Sequence, residues 1–239
     1  HLKDSTGSTL LHRAVELNSK DLVDTFYESG VSYGARNADG ETAATLAVKR
    51  QHLKALNALV QQPRFSPETP DLSGEFPLHI AVRNRDVKAI SLLSLSRVNP
   101  DSRTRDGETA MHLAAAIGDE AVLAELLRST SPNLTVQDRK GRTALMVVLA
   151  SGHSDERVTS LVAHLLANTP ISSDLDARDH ECLTALLYAL RHGHEHAAVA
   201  LLAQGATPKV RDTLGRDAEM YATEMGAGAA LMEALRARL

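Results

Sequence analysis

Three histidines fall within one short run, Arg191-His192-Gly193-His194-Glu195-His196, and no other stretch of the chain so strongly invites metal chemistry. Two imidazoles four residues apart share one helix face and suit zinc. Gly193 stands between them and interrupts such a helix, so the run is expected to form a turn and hold no metal. A second constellation sets Cys182 beside His180 and Glu181, a candidate nucleophile next to a base. A thiol is activated by neighbouring positive charge, and these neighbours are acidic or neutral. Cys182 is the only cysteine, which excludes a disulfide framework and the cysteine-rich zinc sites. Phosphate-binding loops, nucleophile elbows and zinc-protease helices have no counterpart in the sequence. The expectation is a chain that is not an enzyme, with no cofactor and no small-molecule substrate.

The elements that carry these residues are copies of one unit. Its clearest form is Thr104 to Ser129, TRDGETAMHLAAAIGDEAVLAELLRS. Asp106-Gly107 makes a tight turn in which Gly107 takes positive φ, and Thr109 is placed to cap a helix bearing Met111, Leu113 and Ala114. Gly118 ends that helix with a left-handed residue. A second helix presents Val122, Leu123, Leu126 and Leu127 on one face. Neither helix buries its face alone, so the unit needs neighbours like itself. The turn glycine recurs at Gly7, Gly40, Gly74, Gly107 and Gly141; Cys182 then takes its place after a longer gap, and Gly215 follows.

A period of about 33 residues with a T-P-L-H-x-A core is the mark of ankyrin repeats. Leu10 to Ala14 (LLHRA), Pro77 to Ala81 (PLHIA) and Ala110 to Ala114 (AMHLA) resemble that core, and the resemblance covers essentially the whole chain. It implies an all-α solenoid of about seven helix-turn-helix repeats with β-hairpin-like connecting loops. The repeats run at about 1–36, 37–70, 71–103, 104–137, 138–178, 179–211 and 212–239, within a single domain, 1–239. It also implies that His12, His79 and His112 brace neighbouring turns by hydrogen bonding. Function then falls to the hairpin tips and the exposed side of each first helix, which in this family grip a protein or peptide partner in a concave groove. The candidate protein-binding residues are Asp39, Glu41, Glu75, Arg105, Asp106 and Glu108, where acidic tips prevail, and Arg139, Lys140 and Arg142, a basic cluster. Reversing those three basic residues is expected to slow association and leave the helices intact.

Departures from the pattern carry expectations of their own. Thr45 stands where the core histidine belongs, which removes one local hydrogen-bonding group. Pro63, Pro67 and Pro70 favour a stiff, extended connection. Asn84 is expected to take the left-handed turn where glycine usually closes the first helix. In repeat five the second helix begins its apolar face (Leu161, Val162, Leu165, Leu166) five residues late, and more residues are added in the stretch NTPISSDLD. Both insertions are expected to be loops, so that removing residues 154–158 leaves folding nearly intact. Asp217, Glu219 and Met220 give the last repeat a polar face suited to a cap.

The 239 residues are 43% hydrophobic but 3% aromatic, without tryptophan, which suits thin layers of Ala, Leu and Val rather than a deep cofactor pocket. A net charge of −4 gives no footprint for nucleic acid, and no apolar run of about 18 residues is present for direct membrane insertion. No signal peptide is evident, and a start at His1 inside a repeat suggests a piece of something larger. Leu10 to Asn18, Pro77 to Leu93 and the expanded fifth repeat also resemble the rabankyrin family of endosomal adaptors, which implies a cytoplasmic protein recruited to endosomes. A regulator resembling the IκB group and the regulatory region of a larger enzyme are the alternatives.

Overall fold

The computed structural model describes residues 3–168 and 175–238, with fourteen helices and no strand among them. The helices come in seven pairs. They are α1 Leu10–Glu16 with α2 Lys20–Glu28, α3 Ala43–Lys49 with α4 Leu53–Val60, α5 Pro77–Arg83 with α6 Val87–Ser94, and α7 Ala110–Ile117 with α8 Glu120–Thr130. The series continues with α9 Ala144–Ala150 and α10 Asp155–Asn168, α11 Ala185–Arg191 and α12 Glu195–Ala203, and α13 Ala218–Met225 and α14 Ala229–Arg236. The chain divides into two compact units, His1–Leu113 with Ala124–Pro132, and Ala114–Leu123 with Asn133–Leu239.

Stacking follows the same rule in each unit. In the first, α1 packs on α3 and α3 on α5, while α2, α4 and α6 form a second layer. In the other, α9, α11 and α13 form one layer and α10, α12 and α14 the second. The interior is aliphatic: Leu11, Val48, Leu56, Leu59, Ile90 and Leu93 are buried in the first unit, and Leu149, Leu161, Leu165, Leu186, Leu201 and Leu231 in the second. Each fully buried side chain of this size contributes roughly 1.5–3 kcal/mol, so a few aliphatic residues per repeat suffice once neighbours cover them.

The first helix of a repeat starts at a polar cap, with Phe76 before α5 as the exception. Thr42, Thr143, Thr184 and Asp217 accept hydrogen bonds from the backbone three residues on. In the histidine-bearing repeats the imidazole does part of this work. His12 Nδ1 accepts from Thr9 N–H (3.2 Å) and from Thr9 Oγ1 (2.8 Å), while its Nε2–H donates to Glu41 O (2.9 Å) in the next repeat. His79 likewise takes Phe76 N–H at Nδ1 (3.2 Å) and donates to Ser102 O (3.0 Å). Burial pushes His12 below the usual histidine range and His79 down to about 4, so both are neutral braces.

Several expectations are corrected. Thr45 keeps the local bond, since its Oγ1 accepts from Thr42 N–H (2.8 Å); its side-chain hydrogen bonds all stay within that cap, so what it gives up is the reach into the next repeat. Asn84 is right-handed (φ −75°), and Arg85 takes the left-handed position (φ 53°). Asn84 instead donates to Val48 O in the preceding repeat (3.2 Å). Residues 155–158 are not a loop: they form the first turn of α10, and Val158 is buried. The second insertion, at residues 169–174 of the NTPISSDLD stretch, lies outside the described residues. Residues 65–70, with Pro67 and Pro70, carry no regular structure, whereas Pro63 lies in a turn closed by Phe65 N–H on Gln62 O (3.0 Å) rather than in an extended connection.

Candidate functional site

Each hairpin tip is built on a residue three places before the turn glycine. Asp71 Oδ1 accepts from the N–H groups of Ser73 (2.9 Å) and Glu75 (3.0 Å). Asp138 does the same for Lys140 and Arg142, Asp179 for Glu181 and Leu183, and Asp212 for Leu214 and Arg216. The other carboxylate oxygen holds a side chain: Lys49 on Asp71 (3.1 Å), Arg142 on Asp138 (2.7 Å), and the hydroxyls of Tyr188 on Asp179 (2.7 Å) and Tyr221 on Asp212 (2.8 Å). Burial alone raises a carboxyl pKa, but these bonds outweigh it at Asp71 and Asp138, and they hold Asp212 at about 2. The structure adds these aspartates to the sequence reading. Their signal was the same period as the glycine.

The turn residue itself has two duties. Its φ is positive at Gly7, Gly40, Gly74, Gly107, Gly141 and Gly215, and also at Cys182 (φ 59°). It also leaves room for the following tip. A Cβ on Gly40 would fall 2.0 Å from Leu72 Cγ, one on Gly74 2.6 Å from Arg105 Cγ, and one on Gly141 2.9 Å from Asp179 Cα. Neighbouring tips are tied by backbone bonds, Ala38 N–H to Thr6 O (2.9 Å), His180 N–H to Lys140 O (3.0 Å) and Thr213 N–H to Glu181 O (3.1 Å). Cys182 is half-buried, with its N–H on Asp179 O (3.0 Å).

The nine candidate residues separate into two groups. Glu41 is half-buried against Lys49 (3.2 Å), Glu75 pairs with Arg83, Arg105 donates to Leu72 O, and Arg142 grips the buried Asp138 through Nε (2.9 Å) and a terminal nitrogen (2.7 Å). These four are engaged within the fold. Asp39, Asp106, Arg139 and Lys140 are exposed and make no ion pair among the described residues, and Glu108 is half-buried. The basic cluster is therefore two open cations and a structural arginine.

In the second unit the tips of repeats five and six and α11 enclose an open cleft of about 310 Å³. Its less exposed lining is Arg142, which is held by Asp138, and the Tyr188–Asp179 bond; its exposed lining is Lys140, His180, Glu181 and Arg191. The Tyr188 and His192 rings lie parallel, 6.2 Å apart, along one wall. Burial, and then the bond to Asp179, drives the Tyr188 phenol above its ordinary range, so it stays a donor.

The histidine run has a different use. His194 and His196 each present Nδ1 to Asp155, at 3.1 Å to its two oxygens. In earlier repeats the corresponding histidines donate to backbone, His52 to Val15 O (2.7 Å) and His153 to Ala116 O (3.2 Å). The added first turn of α10 thus replaces a carbonyl with a carboxylate. No group of three metal-ligating side chains able to hold an ion occurs among the described residues.

A repeated pair of helices, a hairpin tip on a buried aspartate, and stacking of like on like define a repeat module of the ankyrin class. A family model described as ankyrin repeats matches residues 11–104 and again 78–169, and the chain belongs to that family. Inversin from Canis lupus familiaris is 26% identical over 195 residues, 80% of this chain and 18% of that protein. Rabankyrin-5 from Mus musculus is 26% identical over 157 residues, 51% of this chain and 13% of that protein. The chain thus spans less than a fifth of either relative. Among solved structures, the ankyrin repeat domain of Bcl-3, described as a unique member of the IκB family, superposes with a TM-score of 0.77 over 97% of this chain and 100% of that one, at 22% identity. Ankyrin repeats are in general non-catalytic modules that bind protein partners. No described helix is long and apolar enough to cross a membrane.

Proposed function

We propose that residues 1–239 are one non-catalytic protein-interaction domain that holds a protein partner along its hairpin tips. The carrying observation is the division of labour at each tip. In these six tips the residue three before the turn position, an aspartate in four of them and Asn37 or Thr104 in the other two, is spent on the turn, whereas the residue directly before that position is exposed: Asp39, Ser73 and Asp106 in one unit, Lys140, Glu181 and Leu214 in the other. Within each unit, stacked tips that offer side chains at regular intervals suit recognition of a protein surface. The bound protein is the kind an adaptor assembles. The likeness to rabankyrin-5 supports a role in endosomal traffic, with the domain cytoplasmic. The alternative, an IκB-like regulator, draws on the likeness to the Bcl-3 domain, which speaks for the fold alone.

The test places a photo-crosslinking residue at position 106 or 140, and as control at Lys54 on α4. A protein captured from the tips is then purified and its affinity measured against Asp106→Lys and Lys140→Glu. Loss of binding in either variant, with folding retained, supports the proposal. Equal capture at position 54 and unchanged affinity in both variants would move the binding surface to the second-helix layer.

A further inference from the structure

We infer that the cleft between the fifth and sixth tips receives an acidic peptide segment, with a partner carboxylate seated between Lys140 and Arg191. This rests on the reading of the tips as a protein-binding surface and specifies what one part of it takes. Three exposed cations, Arg139, Lys140 and Arg178, lie on the two tips and make no ion pair among the described residues. The tips are held side by side by His180 N–H on Lys140 O (3.0 Å) and by Gln137 Nε2 on Arg178 O (2.9 Å), so these charges are fixed on adjoining backbone.

The anions nearby cannot neutralise them. Asp138 and Asp179 are buried and spent on the turn N–H groups, Arg142 and Tyr188. Glu181 is the remaining carboxylate of the lining, and it meets Arg191 through one contact of 3.2 Å between well-exposed side chains. Exposed pairs of this kind hold weakly, so an incoming carboxylate can share Arg191 and add the ammonium of Lys140. The cleft is open and its lining polar, which suits a side chain of a docked segment better than an enclosed small molecule. The Arg142–Asp138 and Tyr188–Asp179 pairs are internally satisfied, so docking requires no rearrangement of them.

The experiment measures fluorescence anisotropy of a labelled oligo-glutamate peptide with the whole chain, across a salt series. Lys140→Glu and Arg191→Glu are the test variants. Lys209→Glu, an exposed lysine off the cleft, controls for net charge. Saturable binding that weakens at least tenfold in both test variants, changes less than twofold in the control, and falls with added salt is the expected result. Equal loss in all three variants would mean unspecific charge attraction and overturn the inference. Single-stranded oligonucleotide binding with the same variant losses would overturn it as well, by making the site one for phosphates. If neutral or basic peptides instead shift the amide resonances of tip residues and oligo-glutamate does not, the acidic occupant is wrong while the tips remain a protein-binding surface. If no peptide of any charge perturbs the tips, both readings fall together.

Discussion

Exchanging the residue in the turn position separates its two duties, left-handed backbone and room for the next tip. Cys182 sits at φ 59° where the other turns have glycine. A side chain held left-handed costs roughly 1–2 kcal/mol, and glycine removes that strain at an unfolded-state entropy cost of roughly 0.4–1 kcal/mol. Cys182→Gly is therefore expected to stabilise the protein by about 0.5–1 kcal/mol. Gly215→Ala meets nothing within 4 Å of the new Cβ, so it suffers only the conformational penalty, about 0.5–1 kcal/mol net. Gly141→Ala carries that penalty and also drives its Cβ to 2.9 Å from Asp179 Cα and 3.1 Å from His180 N. Those are backbone atoms, so the tips must separate and strain the His180–Lys140 bond; overpacking of this kind adds about 1–3 kcal/mol. Urea denaturation followed by far-ultraviolet circular dichroism gives the order Cys182→Gly, parent, Gly215→Ala, Gly141→Ala. A Gly141→Ala loss no greater than that of Gly215→Ala would refute the steric half. A destabilised Cys182→Gly would refute the conformational half and show that thiol contacts hold that turn.

Three further outcomes follow from the side-chain geometry. His79 has its folded pKa lowered to about 4 by burial, so below the unfolded value of 6.5 only the unfolded chain gains a proton. Its contribution is complete above pH 6.5 and is lost as pH falls toward 4, about 3 kcal/mol at about 1.4 kcal/mol per unit; His79→Gln should flatten the fall of the urea midpoint across that window, and an unflattened fall would assign it to other groups. Arg142→Glu removes the partner of buried Asp138 and sets a second carboxylate beside it, at a cost of about 3 kcal/mol, whereas Arg139→Glu and Lys140→Glu stay within about 0.5 kcal/mol. Equal thermal midpoints for all three would restore the simple charge cluster. Deleting residues 154–158 removes buried Val158 and the Asp155 carboxylate between two imidazoles, so about 2 kcal/mol is lost rather than almost nothing; an unchanged urea midpoint would return these residues to the class of loops.

Much of the fold was legible because one period repeats every signal. The glycine series, the helix pairs and the substitution by Cys182 all follow from spacing. The errors came from trusting residue type over register. Asn84 is the better left-handed residue by type, yet counting 33 back from Gly118 arrives at Arg85, and the backbone obeys the count. Val158 stands three before Leu161 and four before Val162, which is helical spacing, but a template with a shorter second helix hid it. The cluster at Arg139, Lys140 and Arg142 was legible as charge and not as engagement, because the buried carboxylate that claims Arg142 lies four residues earlier, on the other side of the turn.

If the tips hold a partner as proposed, that engagement narrows where specificity resides. The residue after the turn glycine is drawn inward wherever a partner exists: Glu41 by Lys49, Glu75 by Arg83, Arg142 by Asp138, Arg216 by Asp212. The residue two before it is spent in part on covering the preceding turn, as Leu72 does for Gly40 and Arg105 for Gly74. The position directly before the turn residue has neither duty in most tips, and it is the one whose chemistry varies most freely, from Asp39 and Ser73 to Asp106, Lys140, Glu181 and Leu214. On the proposed reading, a change there alters what the module meets without altering how it stands. The same change one residue past the glycine breaks an ion pair that closes the tip, so loss of binding would be confounded with loss of structure.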